Sequence, residues 1–135
     1  MEYEEFITLI QQFGRIEQFG VAERAVSAVL EVLGEHLSEE QAISIARQLP
    51  THIRDAIMTN NVASSFGLDE FIRRVADREE IGPAEAEKHI RAVFSVLTDA
   101  IDLDKARDAI ARLPEDIRAL LSAEQKAAFS GMGGT

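Results

Sequence analysis

The sequence LPTHIR at residues 49–54 recurs as LPEDIR at residues 113–118, 64 positions further along the chain. In both copies an isoleucine stands three residues after the proline. Proline lacks a backbone N–H and is tolerated best in the first turn of a helix, so each copy predicts the end of one helix and the start of the next. The same helix junction at two places indicates an internal repeat.

The repeat extends well beyond these two motifs. When residues 22–54 are aligned with residues 86–118, 11 of the 33 positions are identical, and most of the identical residues are apolar. Before them, DEFI at residues 69–72 matches EEFI at residues 4–7 with an offset of 65. Composition alone does not explain this agreement, so we interpret the chain as two copies of one helical unit.

Apolar residues in the first half recur at helical spacing. A first helix, ended by Gly14, is predicted from Phe6, Leu9, Ile10 and Phe13. A broader apolar stripe in residues 22–37 predicts a central helix that other helices contact on more than one side. The sequence SEEQ at residues 38–41 has the form of a capping box and predicts a third helix, which ends at Pro50.

A short fourth helix is expected after Pro50, with Ile53, Ala56 and Ile57 facing inward. The polar residues between 59 and 65 then form the one candidate linker. In the second half, Pro83 predicts the start of the long helix, and Asp102 is a candidate cap for the next helix.

The end of the chain contains a second candidate capping box, SAEQ at residues 122–125, which predicts a last short helix carrying Phe129. Residues 131–135 are expected to form a flexible tail. We therefore predict an all-α fold, a compact helical bundle of two pseudo-repeated halves with three to four helices each. The predicted single domain covers residues 1–130, with repeats at about 3–58 and 68–121.

Composition excludes several classes of protein. The chain has no cysteine, which excludes disulfides and thiolate chemistry and is compatible with the cytoplasmic location that we expect. With 24 acidic and 14 basic side chains the net charge is −10, which opposes binding to nucleic acids and to anionic membranes. No apolar run is long enough for a membrane helix, and the acidic N-terminus is unlike a signal peptide.

Three motifs mark the chain: EEF or DEF at the start of each repeat, A-E-x-x-x-x-A-V in the central helix and L-P-x-x-I-R at the close. Together they resemble the bacterial family DUF2267, a domain of unknown function. The resemblance covers about residues 3–121. Because the motif residues belong to the scaffold, the resemblance identifies relatives but implies no active site.

The histidines do not form a recognisable metal site. The residues three positions before His36, His52 and His89 are not glutamates, which excludes the Glu-x-x-His pattern of di-iron bundles. Glu85 and His89 stand one helical turn apart, but a structural pair is the favoured interpretation. His89 falls on the apolar stripe, so we expect it to be partly buried and hydrogen-bonded. We predict no catalytic residue, metal ligand or cofactor.

Two arginines are the candidate contact residues. Arg54 and Arg118 close the two copies of the repeated motif and could grip a carboxylate or phosphate of a ligand or partner. The alternative is structural: the stem covers the apolar edge while the guanidinium meets acidic side chains or the carboxyl end of a helix. Their presence in both halves favours the structural role.

The basic residues of the second half form a third candidate. Arg73, Arg74, Arg78, Lys88 and Arg91 cluster there. The predicted helix pair that carries them is similar to the dimerisation helices of HU-type DNA-binding proteins. Acidic residues interleave with the basic ones and no β-arm sequence follows, so a solvated surface of alternating charge is favoured.

These observations predict a non-enzymatic helical interaction module whose partner is another protein or a second copy of the chain. The alternative is a small-molecule or anion-binding domain that uses the cleft between the repeats, with Arg54 and Arg118 at its walls.

Overall fold

The computed structural model describes the backbone of residues 1–132 and the side chains of residues 1–125. Its elements are α1 (Tyr3–Gly14), α2 (Phe19–Glu35), α3 (Glu39–Ala46), α4 (Thr51–Met58), α5 (Leu68–Glu79), α6 (Pro83–Ala100), a 3₁₀ helix (Leu103–Ala106), α7 (Arg107–Arg112) and α8 (Glu115–Met132). No strand occurs within residues 1–132, which confirms the predicted all-α class. None of these helices is long and apolar enough to cross a bilayer.

The helix ends follow local chemistry. The Ser38 hydroxyl accepts from the Gln41 amide at 3.2 Å and the Gln41 side chain accepts from the Ser38 amide at 3.0 Å, which confirms the first capping box. Pro83 is the first residue of α6, as predicted. The C-cap residues that follow α1 and α5, Arg15 and Glu80, are aligned positions of the repeat, and both adopt the left-handed conformation with φ of 52° and 57°.

Helices α2 and α6 contact each other at the centre of the bundle. Helices α1 and α5 each pack against both of them, so each of these helices contacts the long helix of the other repeat. On the outside, α4 packs against α2, and α8 packs against α6. One hydrophobic core therefore collects residues from both halves, including the fully buried aligned pair Phe6 and Phe71.

A glycine allows α2 and α4 to approach closely. A Cβ atom on Gly34 would lie 2.2 Å from the carbonyl oxygen of Ile57, closer than any real contact. The Asn61 side chain donates to the carbonyl oxygens of Gly34 and Ile57 at 3.0 and 2.8 Å. The predicted linker after α4 is therefore tied to both helices through Asn61.

Phe13 is not a core residue, although the spacing predicted it to be one. Its side chain lies where α1 ends, and the residue is 52% exposed, whereas Phe6 and Ile10 are buried as predicted. Ile7 is buried instead. Since α1 contacts both α2 and α6, its buried face is wider than the single stripe that the periodicity suggested.

The predicted helix start at residues 122–125 is also wrong. Helix α8 runs from Glu115 to Met132 without interruption, so the second capping-box sequence lies inside it. Ser95 donates to the Glu124 carboxylate at 2.8 Å, which gives this residue a tertiary role rather than a capping one. The side chain of Phe129 and the conformation of residues 133–135 lie outside the described residues.

A buried carboxylate joins the two repeats. The Glu35 side chain, only 4% exposed at the end of α2, receives Arg74 Nη1 at 2.5 Å and a second hydrogen bond from Arg78, both on α5. Arg74 also contacts Glu70 at 2.8 Å, and Arg78 contacts Glu31 at 3.3 Å. Removing this buried carboxylate would leave each guanidinium group with only one of its two carboxylate partners.

We predict that Glu35→Ala lowers the free energy of unfolding by about 2–3 kcal/mol. This is less than the usual cost of breaking a buried ion pair, because the side chains of Arg74 and Arg78 are each about one third exposed. Asp99 occupies the aligned position of the second repeat and is exposed, so Asp99→Ala should change stability by less than about 0.5 kcal/mol. Urea unfolding followed by circular dichroism measures both. Equal effects would contradict the assigned role of Glu35.

Candidate functional site

Two adjoining grooves form the main candidate site. The first, here called the N-terminal groove, has a volume of about 870 Å³ and lies between the start of α1 and the junction of α3 with α4. Its lining residues are Met1, Glu2, Tyr3, Glu4, Arg47, Gln48, Leu49, Pro50, Thr51, His52 and Arg54. The first copy of the repeated motif therefore forms one wall of this groove.

Tyr3 is held firmly in the N-terminal groove. Its hydroxyl group donates a hydrogen bond to Glu23, and its ring centroid lies 5.1 Å from that of His52. Burial and the bond to the Glu23 carboxylate raise the pKa of Tyr3 to about 12. Tyr3 is therefore a neutral hydrogen-bond donor over the whole physiological range of pH.

Arg54 lines the N-terminal groove but also caps a helix. Its Nε donates to the Leu49 carbonyl at 2.9 Å, and its Nη2 lies 3.5 Å from the Arg47 carbonyl. These carbonyls follow the end of α3, where a guanidinium satisfies unpaired acceptors and complements the helix dipole. The geometry matches the structural role considered for this arginine.

Arg118 lies elsewhere. It is exposed on α8 and is absent from the lining of the N-terminal groove. The aligned positions of the repeated motif are therefore not brought together, and the two guanidinium groups do not face one another across this groove.

The second groove, here called the inter-repeat groove, lies between α3 and the segment formed by the 3₁₀ helix and α7. It has a volume of about 1120 Å³. Its lining residues are Ser38, Glu40, Gln41, Ile43, Ser44, Arg47, Asp104, Lys105, Arg107, Asp108 and Ala111. Neither Arg54 nor Arg118 is among them, so the expected cleft between the repeats has other walls. It adjoins the N-terminal groove at Arg47.

The walls of the inter-repeat groove are aligned positions of the repeat. With the offset of 64, residues 40, 41, 43, 44 and 47 correspond to residues 104, 105, 107, 108 and 111. None of these five pairs is identical, although a third of the surrounding alignment is. For example, the apolar Ile43 lines one wall, and the residue aligned with it on the opposite wall is the basic Arg107. The groove is therefore symmetric in position but not in chemistry.

Gln48 holds the two walls together. Its side-chain amide donates to the Asp102 carbonyl at 3.2 Å and accepts from the Asp102 amide at 2.6 Å. This pair of hydrogen bonds fixes the end of α3 against the start of the 3₁₀ helix. The spacing between the walls is thereby set by contacts within the protein.

In the sequence, Ser38, Glu40 and Gln41 stand out only as part of a capping box, and the other lining residues of this groove carry no recognisable motif. One signal was present in the sequence: the charged residues of α3 and of the segment formed by the 3₁₀ helix and α7 occupy aligned positions, but their side chains have diverged. That pattern does not reveal that the two helices face each other, since their contact depends on how the repeats pack.

His89, considered above with Glu85 as a possible metal-binding pair, instead contacts a different carboxylate, that of Glu79. His89 is buried, as expected, and its Nδ1 lies 2.9 Å from the Glu79 carboxylate. Glu85, the residue considered as its metal-binding partner, is exposed. Among residues 1–125, no group of three or more histidine, aspartate or glutamate side chains is placed to hold a metal ion.

The basic cluster of the second half is largely paired. Arg73 contacts Glu70 and Asp77, and Arg91 contacts Glu87 and Glu124. Arg74 and Arg78 are engaged by Glu35, as described above. Internal carboxylates therefore take up the guanidinium groups that would contact a phosphate backbone.

The family comparison agrees with the scaffold motifs. A family model described as an uncharacterized conserved protein, DUF2267, matches residues 3–120. The chain belongs to the DUF2267 family. The match includes both grooves of this DUF2267 chain, apart from the first two residues of the N-terminal groove. No curated protein matches the chain.

We predict that Arg54→Ala lowers the free energy of unfolding by about 1 kcal/mol, because two carbonyls at the end of α3 lose a charged donor. Arg118→Ala, which removes no hydrogen bond within residues 1–125, is the matched control and should change stability by less than about 0.5 kcal/mol. Thermal or urea unfolding gives both values. If the Arg54 variant is as stable as the unaltered protein, the helix-capping role of Arg54 is wrong and a role in ligand contact is favoured instead.

Proposed function

We propose that this DUF2267 chain is a non-enzymatic helical protein-interaction module that binds a segment of a partner protein along the inter-repeat groove. The observation that carries the proposal is the groove itself, whose two walls are aligned positions with diverged side chains. A symmetric groove with identical walls would suit a symmetric ligand. Different walls suit a polypeptide segment, which presents different side chains on its two sides.

The charges in the groove define the partner further. Acidic residues Glu40, Asp104 and Asp108 balance basic residues Arg47, Lys105 and Arg107. A partner segment with both basic and acidic side chains would match these walls, and an apolar side chain could pack on Ile43. A different protein is favoured over a second copy, because two chains with a net charge of −10 repel each other.

The adjoining N-terminal groove lengthens the surface. Because Arg47 lines both grooves, one extended segment could follow them in turn. The expected cytoplasmic location is part of this proposal and is compatible with a chain that contains no cysteine.

The test combines site-specific cross-linking with charge reversal. A photo-reactive residue at Ile43 should cross-link a discrete partner in the native host, whereas the same residue at exposed Thr8, which lines neither groove, should not. Arg47→Glu should weaken capture of that partner at least tenfold, and Arg118→Glu should leave it unchanged while both variants stay folded. Equal cross-linking at Ile43 and Thr8, or equal loss with both charge reversals, would contradict the proposal.

The second candidate is anion binding in the N-terminal groove, where the guanidinium groups of Arg47 and Arg54 share one wall region with His52. Glu2 and Glu4 line the same groove and oppose an anion there. Titration with inorganic phosphate, followed by NMR, distinguishes the candidates. Saturable shifts at Arg47 and Arg54 that Arg54→Ala abolishes would favour anion binding.

A further inference from the structure

His36 is a buried histidine without a hydrogen-bond partner. It follows α2, its exposure is 0%, and neither ring nitrogen meets hydrogen-bond geometry with any described group. Its ring centroid lies 3.9 Å from that of Phe66 and 5.9 Å from that of Phe71. A buried polar group that is left unpaired destabilises a fold, so this arrangement calls for an explanation.

The segment over His36 joins the two repeats. Residues 59–67, here called the strap, connect α4 to α5. Within the strap, Ala63 donates its amide to the Leu37 carbonyl at 3.2 Å, and Ser64 donates its amide to the Glu35 carbonyl at 2.9 Å. Arg112 on α7 donates to the Ala63 carbonyl. These contacts, together with the two hydrogen bonds from the Asn61 side chain described above, hold the strap in place.

Phe66 forms the cover of the histidine. Its ring lies against that of His36 at an interplanar angle of 34°. The guanidinium carbon of Arg74 lies 3.8 Å from the centroid of the same Phe66 ring. Phe66 is only partly buried, so the strap lies between His36 and solvent. Displacement of Phe66 and the strap would expose the imidazole to water.

We infer that the strap is released by acid: protonation of His36 expels Phe66 and frees residues 59–67 from their hydrogen bonds to α2 and the residues that follow it. A charged imidazole is disfavoured in this buried cage, because neither ring nitrogen has a hydrogen-bond partner and the charges of Arg74 and Arg112 oppose it, whereas in water it is stable. The aligned position of the second repeat is Ala100, so the device exists in one repeat only.

The charges around His36 set the direction of the effect. Burial, followed by the charge of Arg74, lowers the pKa of His36 to about 4, and Arg112 acts in the same direction. The Glu35 charge, and a contact with the Ser64 backbone that falls short of hydrogen-bond geometry, act in the opposite direction but do not prevail. Once the strap opens, the pKa returns towards its ordinary value of 6.5. The opened form then binds a proton that the closed form rejects, so opening becomes easier as the pH falls from about 6.5 to about 4.

Hydrogen exchange measured by NMR on the intact protein tests this inference. The amides of Ala63 and Ser64 should exchange through local opening, with protection factors below those of the α6 core at every pH. After correction for intrinsic rates, their protection should fall on the order of 10- to 100-fold between pH 7.5 and pH 4.5. An NMR titration of the unaltered protein should also place the pKa of His36 well below its ordinary value of 6.5.

His36→Phe keeps an aromatic ring in the cage and removes the titration, so the pH dependence of strap protection should disappear. His52→Phe is the matched control and should retain it. Three results would overturn the inference: a His36 pKa near 6.5, strap amides that exchange only together with the core, or the same pH dependence in the His36→Phe protein. If His36→Phe does not fold, the titration and the exchange data on the unaltered protein decide the matter.

Discussion

The contact on which the structure depends is the packing of α1 and α5 against both long helices. A helix of 12 residues buries one face easily, but here each helix is enclosed by α2 on one side and α6 on the other. A repeat of about 60 residues is of marginal size for an independent domain, because it buries a smaller fraction of its surface than a larger domain does. Sharing the two helices gives both repeats one continuous core.

Polar contacts make the two repeats unequal. The Glu35 carboxylate meets two arginines of α5, while the aligned Asp99 is exposed. Buried ion pairs contribute little net stability compared with apolar packing, but they disfavour arrangements that leave them unpaired. We interpret the Glu35 cluster as a device that selects one way of joining the repeats. His36, one residue further along, lies at the same junction.

Much of the fold could be predicted from the sequence because it depends on local chemistry. Pro50 and Pro83 mark helix junctions or starts, the Ser38 capping box forms as expected, and the apolar stripe of α2 is buried. Local chemistry also misled at one place, because SAEQ at residues 122–125 can cap a helix but equally fits inside one. There, the buried positions of α8 packed against α6 decide the outcome.

The candidate site could not be predicted in the same way. Arg54 and Arg118 stand out in the sequence, yet only Arg54 reaches a groove, where it also caps α3. The inter-repeat groove arises because α3 of one repeat contacts α7 of the other, and no local signal specifies that contact. The same is true of Gly34, whose missing side chain becomes significant only when α4 lies against it.

The two repeats share one core, and the most direct test of this is to produce the repeats separately. Residues 1–66 and residues 67–135 should each show little cooperative unfolding by circular dichroism. Mixed in equal amounts, they should recover helical structure and unfold in one cooperative transition. If either fragment alone unfolds cooperatively with native helix content, the repeats are independent units and the account is wrong.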